Sequence, residues 1–464
     1  MALLHENRLF PADTTTHAIA RRIYGAIQSL PILSPHGHTS ASWFAHNTPF
    51  PDPVKLFVQP DHYVFRMLYS HGISLEELEI GNETISDPRK VWRIFARNYY
   101  LFRGTPSRLW LDYAFQENFG LNERLSEKTA DLYYDTIEQK LASPDFVPRT
   151  LYERFNIEAI STTDSPLDSL QDHIEIRASG WKGRVLPTFR PDSVVDPTSD
   201  DFLSNIAQLG AITGEDTGTW SGYLHALQNR RNFFKSLGAT ATDHGHPTAR
   251  TANLPTHEAE RLFSKIVSGS AGLAEQELFR AQMLTEMARM SVEDGLVMQI
   301  HPGAVRNHNP LLFERYGPNM GADIPSPTNY VEALHPLLSQ FGNERNFTLI
   351  LFTLDESVYS RELAPLAGHY PCLKLGPPWW FHDSPEGIQR FREMVTETAG
   401  FYNTAGFNDD TRAFLSIPAR HDVSRRMDSA FLARLVAEHR LEEDEAMEVA
   451  HALTYDLVKK AYKL

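Results

Sequence analysis

The chain has 464 residues, 42% of them hydrophobic and 22% charged, the mix of a soluble globular protein with one large barrel or two to three ordinary domains. Asp and Glu outnumber Lys and Arg by 59 to 44, a formal charge of −15 with no basic block, which argues against nucleic acid as a partner. Cys372 is the only cysteine, which excludes an internal disulfide and a zinc site built mainly on thiolates.

The start, "MALLHENRLFPADTTTHAIARR", breaks its apolar run at His5 and Glu6 and lacks a basic region followed by an apolar stretch. No secretory signal and no membrane span are expected, and the cytoplasm is the expected compartment. "LPILSPHGH" (30–38) reads as a buried strand running into His36 and His38. Residues 41–155 read as helices and loops rich in aromatics, as in "VWRIFARNYYLFRGTPSRLWLDYAFQENFG".

From 156 onward, short apolar runs alternate with amphipathic segments. The runs are "FNIEAISTT" (155–163), "GRVLPTFRP" (183–191), the weaker "GATATDHGH" (238–246), "DGLVMQIHP" (294–302), "NFTLILFTLD" (346–355), "CLKLGPPWW" (372–380) and "AGFNDD" (405–410). Segments such as "EAERLFSKIVSG", "AEQELFRAQMLTEMARMS" and "SPEGIQRFREMVTETAG" read as the helices between them. The order is that of an α/β protein with a parallel sheet, and eight candidate strands fit a (β/α)8 barrel. Nearly every run ends in polar residues, the end at which barrel enzymes place their chemistry.

With 20 histidines, about one His-X-His pair is expected by chance; the chain has two, His36/His38 and His244/His246. Residues i and i+2 of a strand share a face, so His36 and His38 can both point into the barrel mouth, and Gly37 lets the backbone approach closely. A third ligand is available in Asp410, because the first and last strands of a closed barrel are neighbours. His301, ending its strand, is a ligand or stands just outside. Asp243 and His244 read equally well as a turn. Asp61 reads as an N-cap for a helix beginning at His62 and Tyr63. Arg190 and Arg412 follow strands and have the fork that binds carboxylates. Trp379 and Trp380 wall a pocket or pack a core.

Together these segments resemble the uronate isomerases (glucuronate isomerases) of the amidohydrolase superfamily. The landmarks, in the family order, are "LPILSPHGH", "PDHYVFR", "RFNIEAISTTDSP", "FRPD", "TDHG", "MQIHPGAVRNHN", "LGPPWWFHD" and "DDTRAFLSIPARH". The resemblance implies a distorted (β/α)8, TIM-like barrel of the metal-dependent hydrolase type with a helical insertion after strand one. The implied divisions are 1–40 for the N-terminal helix and first strand, 41–155 for the insertion, and 156–464 for the remaining barrel and C-terminal helices. It implies one divalent metal ion, zinc with manganese or cobalt as alternatives, held by His36, His38 and Asp410. His62, Tyr63, Arg190, Asp243, His301, Arg306, Trp379 or Trp380, and Arg412 match family active-site positions. The implied partners are a small uronate substrate and further copies of the chain. Ser34-Pro35-His36-Gly37-His38-Thr39 departs from the family's usual Asp-Tyr-His-Cys-His-Leu.

The implied reactions interconvert D-glucuronate with D-fructuronate and D-galacturonate with D-tagaturonate. Tyr63 is expected to carry a proton from C2 to C1 through a cis-enediol, its pKa lowered by Arg412 and the metal. Asp410 moves the hydroxyl proton between O2 and O1, and His62 and Arg190 hold the carboxylate end. The alternatives are a metal-dependent hydrolase of a sugar-acid lactone or amide, with Asp410 as base, and a barrel without catalysis that only binds uronates.

Overall fold

The structure is a computed structural model and describes residues 3–82 and 84–464. Its strands are β1 Ile32–Ser34, β2 Ile157–Ser161, β3 Arg184–Leu186, β4 Ala241–His244, β5 Val297–Ile300, β6 Ala304–Val305, β7 Ile324–Pro325, β8 Leu349–Leu351 and β9 Leu373–Leu375. β1–β2–β3 form one parallel sheet and β4–β5–β8–β9 another, while β6 and β7 make a short antiparallel hairpin. The parallel strands are short and mostly buried, with all four residues of β5 and all three of β8 buried.

Single bridges continue both sheets. Phe189 bridges Asp164 on one side and Thr242 on the other, joining β3 to β4. Thr404 bridges Leu375 at the far edge of β9. The segment after it reaches the opposite edge, where His38 donates to the Thr411 carbonyl at 2.9 Å and Asp410 N–H to the His36 carbonyl at 3.2 Å. One apolar cluster unites Leu33, Ala159, Ala241, Val297, Ile350 and Ala405 from successive strands and this last segment.

The run 405–410 departs from the expected strand. After the Thr404 bridge the chain makes no regular ladder, because Gly406 has φ 75° and Asp410 φ 42°, both left-handed. Gly406 has no alternative, since a Cβ there would stand 2.4 Å from Val458 Cγ2 and 2.9 Å from the Leu453 carbonyl. The weak run 238–246, in contrast, contains β4, fully buried and paired in register with β5.

Residues 41–154 hold helices from Ala41–His46 to Pro148–Arg154 and, among the described residues, no strand. They have their own aromatic core, with Trp92, Phe95, Tyr99, Phe102, Phe115 and Tyr133 fully buried in edge-to-face or tilted contacts. Each such ring contributes about 1.5–3 kcal/mol by leaving water. Asp52, Asp87 and Thr105 cap three of these helices, and each is followed by proline at the first helical position. Toward the other end of the chain, helix Ile417–Ala437 follows the segment 404–410 and packs on helix Thr14–Ile27. Among the described residues, no helix is long and apolar enough to cross a membrane.

Candidate active site

His36 and His38 leave β1 side by side and face Asp410 from the segment 404–410. Their Nε2 atoms lie 3.5 and 3.3 Å from Asp410 Oδ1. That oxygen is buried and, among the described residues, has no hydrogen-bond partner, while Oδ2 accepts one from Trp379 Nε1 at 2.6 Å. Ligands about 2.0–2.2 Å from a tetrahedral ion stand roughly 3.3–3.6 Å from one another, so this donor set fits a first-row divalent cation. Asp410 keeps its left-handed backbone at a cost to folding, a pattern found where function demands a particular side-chain direction. Burial opposes ionisation of Asp410, but His36 and His38 hold its carboxyl well below the ordinary range. Burial, with Arg412 adding, pushes His38 down to about 4.

Gly37 is not what makes this approach close. A Cβ there would meet Thr411 O and N at 3.6 and 3.7 Å, ordinary contact.

Behind the pair lies Asp243, fully buried at the third position of β4 rather than in a turn. It accepts from His301 Nε2 at 2.6 Å, stands 3.6 Å from His36 Nδ1, and is 3.3 Å from Arg190 Nη1. Burial opposes its charge, yet His301, His36 and Arg190 hold the carboxyl well below its usual value. Asp243 therefore stands beside His36, whose motif carries Ser34 in place of the usual acid. His301 packs 5.0 Å from the Trp379 ring and sits one group away from the His36–His38–Asp410 set.

The second His-X-His pair is directed elsewhere. His244 Nε2 pairs with Thr242 Oγ1 at 3.0 Å, and both rings face Asp192. That carboxylate already accepts from Arg190 Nε at 2.8 Å and from Gly245 N–H at 3.1 Å. Gly245 is the residue that close packing requires, since a Cβ would lie 2.4 Å from Arg190 Nη2 and 2.8 Å from Asp192 Oδ2.

The facing wall comes from helix His62–Ser70. Asp61 caps it, accepting from Tyr63 N–H at 2.8 Å. Burial and then Arg412 push His62 down to about 3, so its ring is neutral near pH 7. Tyr63 Oη donates to Asp383 Oδ1 at 2.8 Å. Burial and the Asp383 charge hold the phenol well above its ordinary pKa. This corrects the expectation that Arg412 lowers it: the cation near Tyr63 is Arg420, 5.8 Å from the ring, and it is outweighed. Arg306 donates to Asp323 Oδ2 at 2.7 Å and lies 5.3 Å from the centre of the Trp380 ring. Among the described residues, none accepts a hydrogen bond from the Arg412 guanidinium, so its fork is open.

These groups surround one cavity of about 450 Å³. Every residue assigned to the site by the family resemblance lines it except Asp243, which lies just behind. The cavity also draws on Asp61, Asp192, Asp323 and Arg420, and Asp383 stands behind Tyr63. Asp61 and Asp192 were visible as a cap and a strand end. Arg420 and Asp383 carried no local signal beyond being charged residues inside "IPARH" and "WWFHD".

Chemistry at the ends of parallel strands, with a His-X-His pair facing an aspartate, defines an α/β enzyme fold with a donor set that could hold a divalent ion. The comparisons are more particular. The sequence matches the family described as "Glucuronate isomerase" over residues 4–462, and the chain belongs to that family. It is 62% identical over 464 residues to the uronate isomerase of Phenylobacterium zucineum, covering 99% of this chain and 97% of that one. Among solved structures it is similar to glucuronate isomerase from Caulobacter crescentus, at 57% identity and TM-score 0.98, covering 100% of this chain and 98% of that one. It is also similar to uronate isomerase from Thermotoga maritima, at 28% identity and TM-score 0.93, with 99% of each chain covered. The hydrolase alternative is not favoured by this family membership.

Proposed function

We propose that the protein interconverts hexuronate aldoses and ketoses, D-glucuronate with D-fructuronate and D-galacturonate with D-tagaturonate. One observation carries the reading: a single cavity brings the His36–His38–Asp410 donor set together with Tyr63 and the guanidinium groups of Arg190, Arg306 and Arg412. A metal-dependent hydrolase needs the first group; the phenol and the cations beside it suit an anionic sugar that must lose and regain a carbon-bound proton.

The parallel strands and the segment 404–410 are read as one distorted (β/α)8 barrel, with 1–40 as its start, 41–155 inserted after β1, and 156–464 completing it. The bonds between 36–38 and 410–411 support that closure. His36, His38 and Asp410 would hold one divalent ion, zinc with manganese or cobalt as alternatives. Such an ion, when bound, polarises a substrate oxygen near the reacting carbons.

The chain's own residues do the rest. Arg412 and Arg190 bind and orient the carboxylate end, with His62 as a neutral partner. Tyr63 Oη takes the proton from C2 and returns it to C1 on the same face of a cis-enediol. Asp410, steadied by Trp379, moves the hydroxyl proton between O2 and O1. Asp243 and His301 fix His36, and Trp380 with Arg306 walls the cavity. The protein acts in the cytoplasm as a homo-oligomer, an assembly supported by exposed Val305, Leu311 and Phe313 around the β6–β7 hairpin.

The test is incubation with each uronate, with zinc, manganese or cobalt supplied, followed by NMR. The ketose from glucuronate or galacturonate is expected; absence of both ketoses under all three metals refutes the proposal.

A further inference from the structure

We infer that Asp383, held by Arg420, is the positioning residue through which Tyr63 can accept a carbon-bound proton. The inference rests on the reading of Tyr63 given above. A phenol that still holds its proton has no useful basicity, so a neutral Tyr63 must release that proton as it takes another. The structure provides one route. Tyr63 Oη donates to Asp383 Oδ1 at 2.8 Å, and Asp383 is 8% exposed and absent from the cavity wall. It meets the substrate only through the phenol.

The carboxylate is fixed from its other side. Arg420 Nη1 donates to Asp383 Oδ2 at 2.7 Å and to the Asp409 carbonyl at 3.0 Å. The Arg420 guanidinium lies 3.7 Å from the centre of the Trp110 ring, so its plane is set by stacking as well. Both carboxylate oxygens are thereby assigned, one to the phenol and one to the cation. Trp110 belongs to helix Pro106–Tyr113 and Tyr63 to helix His62–Ser70, so the helices of 41–155 supply the phenol and the stacking ring. Burial pushes Asp383 up to about 6, with Arg420 opposing, so the carboxylate is ionised near pH 7 and basic enough to accept.

The step balances without a further reagent. The C2–H bond breaks and its proton bonds to Tyr63 Oη. The electron pair forms the C1=C2 bond, and the carbonyl pair moves to O1, which takes the hydroxyl proton from O2 by way of Asp410. In the same step the phenolic proton passes from Oη to Asp383 Oδ1. In the second half Tyr63 delivers its new proton to C1 and recovers the other from Asp383, leaving both groups as they began.

The test compares Asp383→Asn, Asp383→Glu and Tyr63→Phe in the metal-loaded protein. Asparagine keeps an acceptor for the Tyr63 hydroxyl but takes no proton. A fall in kcat of at least about 100-fold with KM within about threefold is expected, with partial recovery in Asp383→Glu. Adding Asp383→Asn to Tyr63→Phe should cost little more than Tyr63→Phe alone. Near-normal kcat in Asp383→Asn while Tyr63→Phe is inactive overturns the relay and leaves the proposed function standing. Near-normal kcat in Tyr63→Phe overturns that reading of Tyr63 itself. Should Asp383→Asn lose its near-UV circular dichroism, the unaltered enzyme decides. With C2-deuterated substrate, a normal solvent deuterium effect on the same step is expected, and its absence overturns the relay.

Discussion

His36-Gly37-His38 and His244-Gly245-His246 are the same tripeptide at the ends of two parallel strands, yet their surroundings differ at every point that matters. The first pair faces Asp410 Oδ1, a buried oxygen with no hydrogen-bond partner among the described residues, and opens onto the cavity. The second faces Asp192, whose carboxylate already serves Arg190 and the Gly245 N–H. The two glycines differ as well: Gly245 sits under a guanidinium that no Cβ can approach, while Gly37 has ordinary space. Spacing puts two imidazoles on one face. What they do there depends on whether the carboxylate opposite is free or committed.

The largest effect belongs to the cavity that only the first pair opens onto. Tyr63→Phe should lower kcat about 10³-fold with little change in KM, read by steady-state kinetics on glucuronate.

A smaller effect probes the second pair by pH. Burial pushes His244 down to about 3, below the ordinary value of 6.5 that it regains on unfolding. Between those values the unfolded chain binds the extra proton, so His244 costs nothing at pH 8 and costs stability progressively as pH falls below 6.5. At pH 5 the cost is about 2 kcal/mol. His244→Gln should therefore lose less stability than the unaltered protein between pH 8 and pH 5, read by urea unfolding at each pH.

The smallest effect contrasts the glycines. Gly245→Ala should displace the Arg190 fork and raise KM about tenfold, about 1.4 kcal/mol in binding. Gly37→Ala should leave KM and Tm close to those of the unaltered protein.

The strands were legible because a buried parallel strand is a short continuous apolar run, and even the polar-ended 238–246 contains one. The run 405–410 misled because its apolar start and polar end resemble the other strands while Gly406 and Asp410 have left-handed backbone, which a hydropathy pattern does not record. Most cavity residues were legible because they end strands or begin a helix, whereas Arg420 lies inside one. The role of close backbone approach was assigned to Gly37 and belongs to Gly245, because both triplets read alike in one dimension. The cation at Tyr63 was misassigned for a related reason. Arg412 lies beside Asp410 in sequence, whereas Arg420 reaches Tyr63 only through the turn into helix Ile417–Ala437 and through Asp383, 37 residues away.

We propose the first pair with Asp410, and not the second with Asp192, as the metal centre. Metal content per chain, measured after dialysis against zinc and then metal-free buffer, tests it most directly on the unaltered protein, Asp410→Asn and His246→Ala. The account predicts one ion per chain in the unaltered protein and in His246→Ala, and none in Asp410→Asn. An ion retained by Asp410→Asn and lost by His246→Ala would contradict it.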